Sequence, residues 1–341
     1  MTENKSLLTV RDLRVYFKLD EGVVKSVDGV SFDAYPGQVV GIVGESGCGK
    51  SVTMKAILKI VEPPGKIMGG TVRLQDRTDP EKYHDLTAMD EKGKEIRAIR
   101  GGEIALIPQE PMAAFSPVHT IGDQIIEAIM LHSDISKEKA REQCIQALAA
   151  VGMSMPEKRV DSYTWQLSGG LRQRAIIAMA ISSNPRLLIA DEPTTAIDVT
   201  TQAQILKLLK QLQKERNMSI IFITHDLGVI AQMAQYVVVM YLGRVMERGP
   251  VDEIFHNPKH PYTQALLRSI PSAQKTTRVK LPTISGSIPH PFNKPKGCPF
   301  HPRCTQWVRG VCEVETPDET FVNENHFVHC FLYEKSKEAA S

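Results

Sequence analysis

The sequence predicts an α/β fold organised around a mostly parallel sheet, and three observations carry that prediction. Apolar runs too short for helices alternate with helical stretches over the first 265 or so residues. One run, Val39-Val40-Gly41-Ile42-Val43, leads into Gly44-Glu45-Ser46-Gly47-Cys48-Gly49-Lys50-Ser51, which fits the phosphate-loop pattern G-x-x-x-x-G-K-[ST] at every fixed position. Another, Leu187 to Ala190, ends in the acid pair Asp191-Glu192.

Taken in order, Leu7 to Phe17, Val23 to Ala34, Val39 to Val43, Thr71 to Leu74 and Ile104 to Ile107 read as strands. Leu187 to Ala190, Ser219 to Thr224 and Val237 to Tyr241 are apolar runs of the kind buried on both faces of a parallel sheet. Helices are expected over Ser51 to Ile60, Asp123 to Leu131, Lys137 to Val151, Leu171 to Ile181, Gln202 to Arg216 and Leu227 to Ala234. The stretch from about 112 to 183 has helices without a strand pattern and is expected to form an inserted helical lobe. Composition changes after Ile270: Pro271, Pro282, Pro289, Pro291, Pro295, Pro299 and Pro302 mark irregular chain or a linker. The division expected is therefore a nucleotide-binding domain over 1–265 and an extension over 266–341, ending in a polar tail from Glu334 to Ser341.

The chain has 341 residues, 42% hydrophobic and 23% charged, an ordinary globular composition with ample apolar surface to bury. No apolar run approaches the roughly 18 to 20 residues of a membrane span, and Met1-Thr2-Glu3-Asn4-Lys5 lacks the apolar core of a signal peptide. A place in the cytosol is expected. Lys and Arg number 41 against 39 Asp and Glu, so overall charge argues against nucleic acid or an anionic membrane as direct partner.

Each motif carries a chemistry. The loop glycines let successive backbone N–H groups turn toward phosphate oxygens at a helix N-terminus; Lys50 can reach the β- and γ-phosphates, and the Ser51 hydroxyl can ligate Mg²⁺. At the end of the acidic strand, Asp191 is placed to hold Mg²⁺ and Glu192 to polarise the water attacking the γ-phosphate. In Leu167-Ser168-Gly169-Gly170-Leu171-Arg172-Gln173-Arg174, a Ser hydroxyl and two bare Gly amides open a helix and offer a second anion-binding surface. Two such surfaces on one chain suggest that each completes a partner's site.

With these motifs in this order, the chain resembles the ATP-binding-cassette ATPases over roughly residues 7–265. The resemblance implies a phosphate-loop nucleotide-binding domain of RecA-like core, antiparallel β subdomain and inserted helical subdomain. It assigns Gln109, in Ile107-Pro108-Gln109-Glu110-Pro111, to the glutamine that touches Mg²⁺. Asp198, in Thr195-Ala196-Ile197-Asp198, matches the D-loop, with Ile197 where Leu is more usual, and His225 matches the switch histidine at the γ-phosphate. The family also stacks adenine on an aromatic at the end of the first strand; alignment favours Phe17, with Tyr16 the alternative on the opposite face. Cys48 sits at a helix N-terminus, where a thiol pKa can fall.

Pro63-Pro64-Gly65-Lys66-Ile67, Arg97-Ala98-Ile99-Arg100-Gly101, Ser116-Pro117-Val118-His119-Thr120-Ile121-Gly122 and His260-Pro261-Tyr262-Thr263-Gln264-Ala265-Leu266-Leu267 resemble the D-type ATPases of oligopeptide and dipeptide importers. That resemblance implies a heterodimer with a related F-type ATPase, two permease subunits, an extracytoplasmic solute-binding protein and a peripheral place on the cytoplasmic face of the membrane. A soluble cassette ATPase of DNA repair or translation is the alternative, disfavoured because this chain holds neither two cassettes nor a long coiled coil. An ATP-binding metal-cluster sensor is a further alternative, disfavoured by the intact Asp191-Glu192 pair.

Four of the six cysteines, Cys298, Cys304, Cys312 and Cys330, fall in the extension. Stable disulfides are disfavoured in the cytosol, and four thiolates in a short irregular segment suit a metal centre that replaces a missing core. Zinc also takes four cysteines, so spacing alone does not choose the metal. The resemblance of Gly297-Cys298-Pro299-Phe300-His301-Pro302-Arg303-Cys304 to importer ATPases carrying a [4Fe-4S] cluster favours that cluster, with Zn²⁺ the alternative. Cys144 reads as a buried helix residue.

Overall fold

A computed structural model describes residues 5–110, 114–195, 197–269, 284 and 286–334. Pro111 and Ala196 of the quoted motifs, Pro271 and Pro282 of the expected linker, and the tail 335–341 lie outside the described residues. The chain forms two compact units. One comprises Met1–Leu7, Ala34–Val39 and Ala88–Ile223; the other comprises Leu8–Asp33, Val40–Thr87 and Thr224–Ser341.

The second unit contains an antiparallel sheet in the order Gly22–Ala34, Leu8–Leu19, Gly65–Gln75, Tyr83–Asp85. Its strands alternate as a half-buried sheet requires: Val30, Phe32 and Ala34 are fully buried, and the residues between them are not. The apolar strand Val39–Val43 pairs in parallel with Tyr236–Tyr241, Val43 lying opposite Val239, and delivers the chain to the phosphate loop. Arg244–Pro250 runs antiparallel to Tyr236–Tyr241, and the hairpin Thr320–Asn323 with His326–Val328 pairs onto its other edge.

Sequence reading missed Arg244–Pro250 because Arg244, Glu247 and Arg248 interrupt any apolar pattern. Glu247 is nonetheless fully buried: its carboxylate accepts the Lys259 N–H at 2.7 Å and the His260 N–H at 2.9 Å, and lies 2.7 Å from His326 Nε2. Partners far along the chain meet the cost of burying that charge.

In the first unit Ile104–Ile107, Leu187–Asp191 and Ser219–Ile223 form parallel ladders, with Leu187 opposite both Ile104 and Ser219. Leu187–Asp191 and Ser219–Ile223 are buried at every position, which explains their unbroken apolar sequences. Ile121–His132, Lys137–Ala150, Pro156–Arg159 and Gly169–Ile181 are helices, with no strand among the described residues from 114 to 183. Ile121, Ile125 and Ile129 recur every four residues on the buried face of the first of these. Val199–Arg216 is capped by Asp198 at its start and by Asn217, φ 47°, at its end.

Candidate nucleotide and metal sites

The phosphate loop has the backbone its glycines imply. Gly44, Gly47 and Gly49 have φ of 153°, 78° and 101°, and Gly49 caps the helix Lys50–Ile57. A Cβ on Gly44 would strike the Met240 carbonyl, and one on Gly49 the Ser26 carbonyl, so both positions need glycine for space as well as for conformation. Lys50 is buried and donates to the carbonyls of Gly44 at 2.8 Å and Glu45 at 3.2 Å. Ser46 and Gly47 are exposed at the loop's outer turn, and Ser51 is the second residue of the helix. At Cys48, a residue only 2% exposed, burial pushes the thiol pKa up against the pull of Lys50.

In the first unit, the structure brings Gln109 and Glu192 together at the sheet edge where Asp191 ends its strand. Gln109 Nε2 donates to Glu192 Oε2 at 3.3 Å, and Thr195 Oγ1 donates to the same oxygen at 2.9 Å. Glu192 turns out of the strand with φ 47°, its N–H held by the Ile223 carbonyl at 2.9 Å. Nothing in the segment Thr195 to Asp198 signals that Thr195 holds Glu192.

Ser168 caps the helix Gly169–Ile181 by accepting the Leu171 N–H at 3.4 Å. A Cβ on Gly169 would meet nothing within 4 Å, so this helix start is open, whereas one on Gly170 would meet Thr201 Cγ2 at 2.9 Å. Thr201 is also the residue Asp198 caps: Asp198 accepts its N–H at 2.9 Å and its hydroxyl at 2.7 Å, and these bonds hold the Asp198 carboxyl below the usual range. Gly170 and Asp198 therefore share Thr201 as a neighbour.

In the second unit His225 is exposed, between Thr224 and an Asp226 that caps the helix Leu227–Met233. Tyr16 is committed elsewhere, its hydroxyl donating to Asp28 at 2.8 Å. Asp28 also meets Arg244 at 3.1 Å and Lys294 at 3.0 Å. Burial opposes ionisation of Asp28, but Lys294, Tyr16 and Arg244 together hold its carboxyl well below the usual range. The Phe17 ring packs against Gly65.

Cys298, Cys304, Cys312 and Cys330 line one small cavity together with His260, His301 and Trp307. All four are free thiols, and three are buried. The Val308 N–H points at Cys312 Sγ at 3.2 Å and the Gln306 N–H at Cys304 Sγ at 3.4 Å. Burial pushes the Cys298 thiol up to about 11 and the Cys330 thiol up to about 12, which favours the neutral thiol at both. Among the described residues no group of three or more His, Cys, Asp or Glu side chains is set to hold a single metal ion. Cys144 is fully buried in the helix Lys137–Ala150, as its sequence context implied.

Residues distant in sequence surround the phosphate loop. Tyr262 accepts the Glu45 N–H at 3.0 Å, and Arg303 makes paired contacts with the Glu45 carboxylate at 2.7 and 3.0 Å. Phe300 is packed among the rings of Tyr241, Tyr262 and His260 at centroid distances of 5.4, 5.2 and 5.9 Å. Tyr262, Phe300 and Arg303 all lie in segments quoted for other reasons.

A family model for the ABC transporter matches residues 27–195, and one for the oligopeptide/dipeptide transporter C-terminal region matches residues 246–312. The dipeptide transport ATP-binding protein DppD of Bacillus subtilis (strain 168) is 44% identical over 337 residues, 98% of this chain and 97% of its own. The oligopeptide transport ATP-binding protein OppD of the same organism is 46% identical over 327 residues, 96% of this chain and 88% of its own. Among solved structures, the dimeric structure of MJ0796, a bacterial ABC transporter cassette, matches with a TM-score of 0.62 at 25% identity, covering 72% of this chain and 98% of that one. The dimeric post-hydrolysis state of MJ0796 bound to ADP and Pi matches equally. The chain belongs to the ABC transporter ATP-binding proteins. Its near-full-length relatives within that family are ATP-binding proteins of dipeptide and oligopeptide transport.

Proposed function

We propose that this chain binds ATP with Mg²⁺ and hydrolyses it to energise an importer of peptides or related small solutes. The carrying observation is the Gln109–Glu192–Thr195 cluster, whose two hydrogen bonds hold the Glu192 carboxylate and support reading it as the water-polarising base. Residues 1–265 form the cassette, with the helical subdomain at about 112–183, and 266–341 its extension. Gly44 to Ser51 cradle the phosphates, Phe17 faces the adenine, and His225 contacts the γ-phosphate.

Ser51, Gln109 and Asp191 are the residues that would hold Mg²⁺ through oxygen donors. When bound, that ion would offset negative charge on the phosphates. Glu192 accepts the proton of the attacking water, and Lys50 leaves its carbonyl partners for the phosphates. Ser168, Gly169 and Gly170 face the ATP of a partner, and Asp198 lies alongside.

The partner is a paralogous F-type ATPase, the pair docking on two permease subunits served by an extracytoplasmic solute-binding protein, at the cytoplasmic face of the membrane. No helix among the described residues is long and apolar enough to cross a membrane, which agrees with a peripheral subunit. The test is assembly. The chain should co-purify with permeases from solubilised membranes, and ATP turnover should be low for the isolated chain and rise in the complex. An isolated monomer as fast as the complex would refute the reading.

Cys298, Cys304, Cys312 and Cys330 hold a [4Fe-4S] cluster in this proposal, supported by their shared cavity and by the N–H groups aimed at two of the sulfurs. A zinc ion would draw four sulfurs to about 2.3 Å from one centre. The group would cross-link a segment poor in core. Anaerobically purified protein should contain iron and acid-labile sulfide in equal amounts; stoichiometric zinc without sulfide would replace cluster by zinc.

A further inference from the structure

The side chain of Arg303 links the cysteine segment to the phosphate loop. Arg303 lies between Cys298 and Cys304 in the single 3₁₀ turn His301–Arg303. That turn is tied to both cysteines: the His301 N–H donates to the Cys298 carbonyl at 3.1 Å, and the Cys304 N–H to the His301 carbonyl at 3.2 Å. From this turn the guanidinium grips Glu45 with Nη1 at 2.7 Å from Oε2 and Nη2 at 3.0 Å from Oε1, while Nη1 also donates to the Tyr241 hydroxyl at 3.2 Å. The Arg303 side chain is 5% exposed and that of Glu45 20%, so the pair is largely shielded from water.

Glu45 is the one acid within Gly44–Ser51. Left uncompensated, its carboxylate would oppose a polyanionic ligand at short range, and in a shielded site that repulsion is strong. Paired with Arg303 through two parallel bonds, the charge is neutralised and the side chain held in one orientation. The Glu45 backbone is under the same control, because its N–H is held by Tyr262 and its carbonyl takes part in holding Lys50.

We propose that Arg303 is a positioning residue for nucleotide binding, which acts through Glu45 and transmits the condition of the Cys298–Cys304 segment to the phosphate loop. The inference rests on reading Gly44–Ser51 as the ATP loop. An ordered cysteine segment keeps Arg303 on Glu45 and ATP affinity high. A segment loosened at its thiols releases Arg303 and lowers that affinity, so ATP binding reports the state of a site that no nucleotide touches.

The test is the affinity of the anaerobically purified full chain for Mg-ATP, measured by calorimetry. Arg303→Ala is expected to bind ATP about tenfold more weakly, the scale of one charge-assisted contact. Adding Glu45→Gln to Arg303→Ala should restore most of the loss, since the carboxylate that Arg303 compensates is then gone. Arg303→Lys keeps the charge without the fork and leaves no large cavity; it should fall between wild type and Arg303→Ala, which covers the case in which the alanine variant does not fold. Cys304→Ser should weaken ATP binding in the wild-type background and add little in Arg303→Lys. Arg303 variants that bind ATP like wild type, a double variant no tighter than its parent, or an equal Cys304→Ser effect in both backgrounds would each overturn the link. Lys50→Ala separates the two levels. If it binds ATP as wild type does, the nucleotide reading itself has failed; if it binds weakly while the Arg303 variants are unaffected, only the link has.

Discussion

Replacing Glu192 by Gln is the sharpest perturbation of the proposed chemistry, because the structure allows geometry and charge to be separated. Glu192 Oε2 accepts from Gln109 Nε2 at 3.3 Å and from Thr195 Oγ1 at 2.9 Å. A glutamine carbonyl oxygen in the same place accepts both, so neighbouring side chains and the Asp191 strand end should keep their positions. What disappears is the group that takes the proton from water. Positioned general bases contribute about 10²–10⁴ in rate, or about 3–5 kcal/mol of barrier at about 1.4 kcal/mol per tenfold. ATP affinity should hold or rise, since a negative charge has left the phosphate region. Thr195→Val provides a gauge: it deletes one hydrogen bond to the carboxylate, worth about 1 kcal/mol, and should slow turnover only about fivefold. The assay is phosphate release by the assembled complex with the partner's site silenced, alongside equilibrium ATP binding. Glu192→Gln turning over at the wild-type rate would remove Glu192 from its role, and ATP binding lost in parallel would show that the substitution disturbed the site.

Two further outcomes are expected. Lys50→Ala should weaken ATP binding itself rather than turnover of bound ATP, because Lys50 is the buried cation of the loop; a ligand titration showing unchanged affinity would contradict it. Stability should fall as the pH drops from about 6.5 toward 4: burial pushes His260 down to about 4, and its Nδ1 accepts the Tyr262 N–H at 3.0 Å, so the folded chain resists a proton that the unfolded chain takes up. The loss amounts to about 3 kcal/mol at the acid end of that window, and His260→Asn, which keeps a capping acceptor without titrating, should flatten that part of the denaturant-midpoint profile against pH.

What the sequence made legible was what one local stretch must supply by itself. Val39–Val43, Ile104–Ile107 and Leu187–Asp191 were readable because strands buried on both faces have little freedom to be anything but apolar. The phosphate loop was readable because φ values of 153°, 78° and 101° and crowding carbonyls leave its glycines little alternative. Pairings across long separations were not legible. Glu247 broke the pattern of its own strand because its partner His326 is 79 residues on, and nothing at either position announces the other. Arg303 and Glu45 are 258 residues apart, and each alone resembles a charge on an irregular surface loop. The cysteines fall between these cases: their number pointed to a common site and the structure gathers them round one cavity, yet their spacing does not name a metal. The dividing line is physical. A motif that grips phosphate answers to a ligand whose shape and charge do not change, so its residues are fixed within a few positions. A contact such as Arg303 on Glu45 answers only to the rest of this chain, and any residue elsewhere able to neutralise one loop carboxylate would have served the fold equally well.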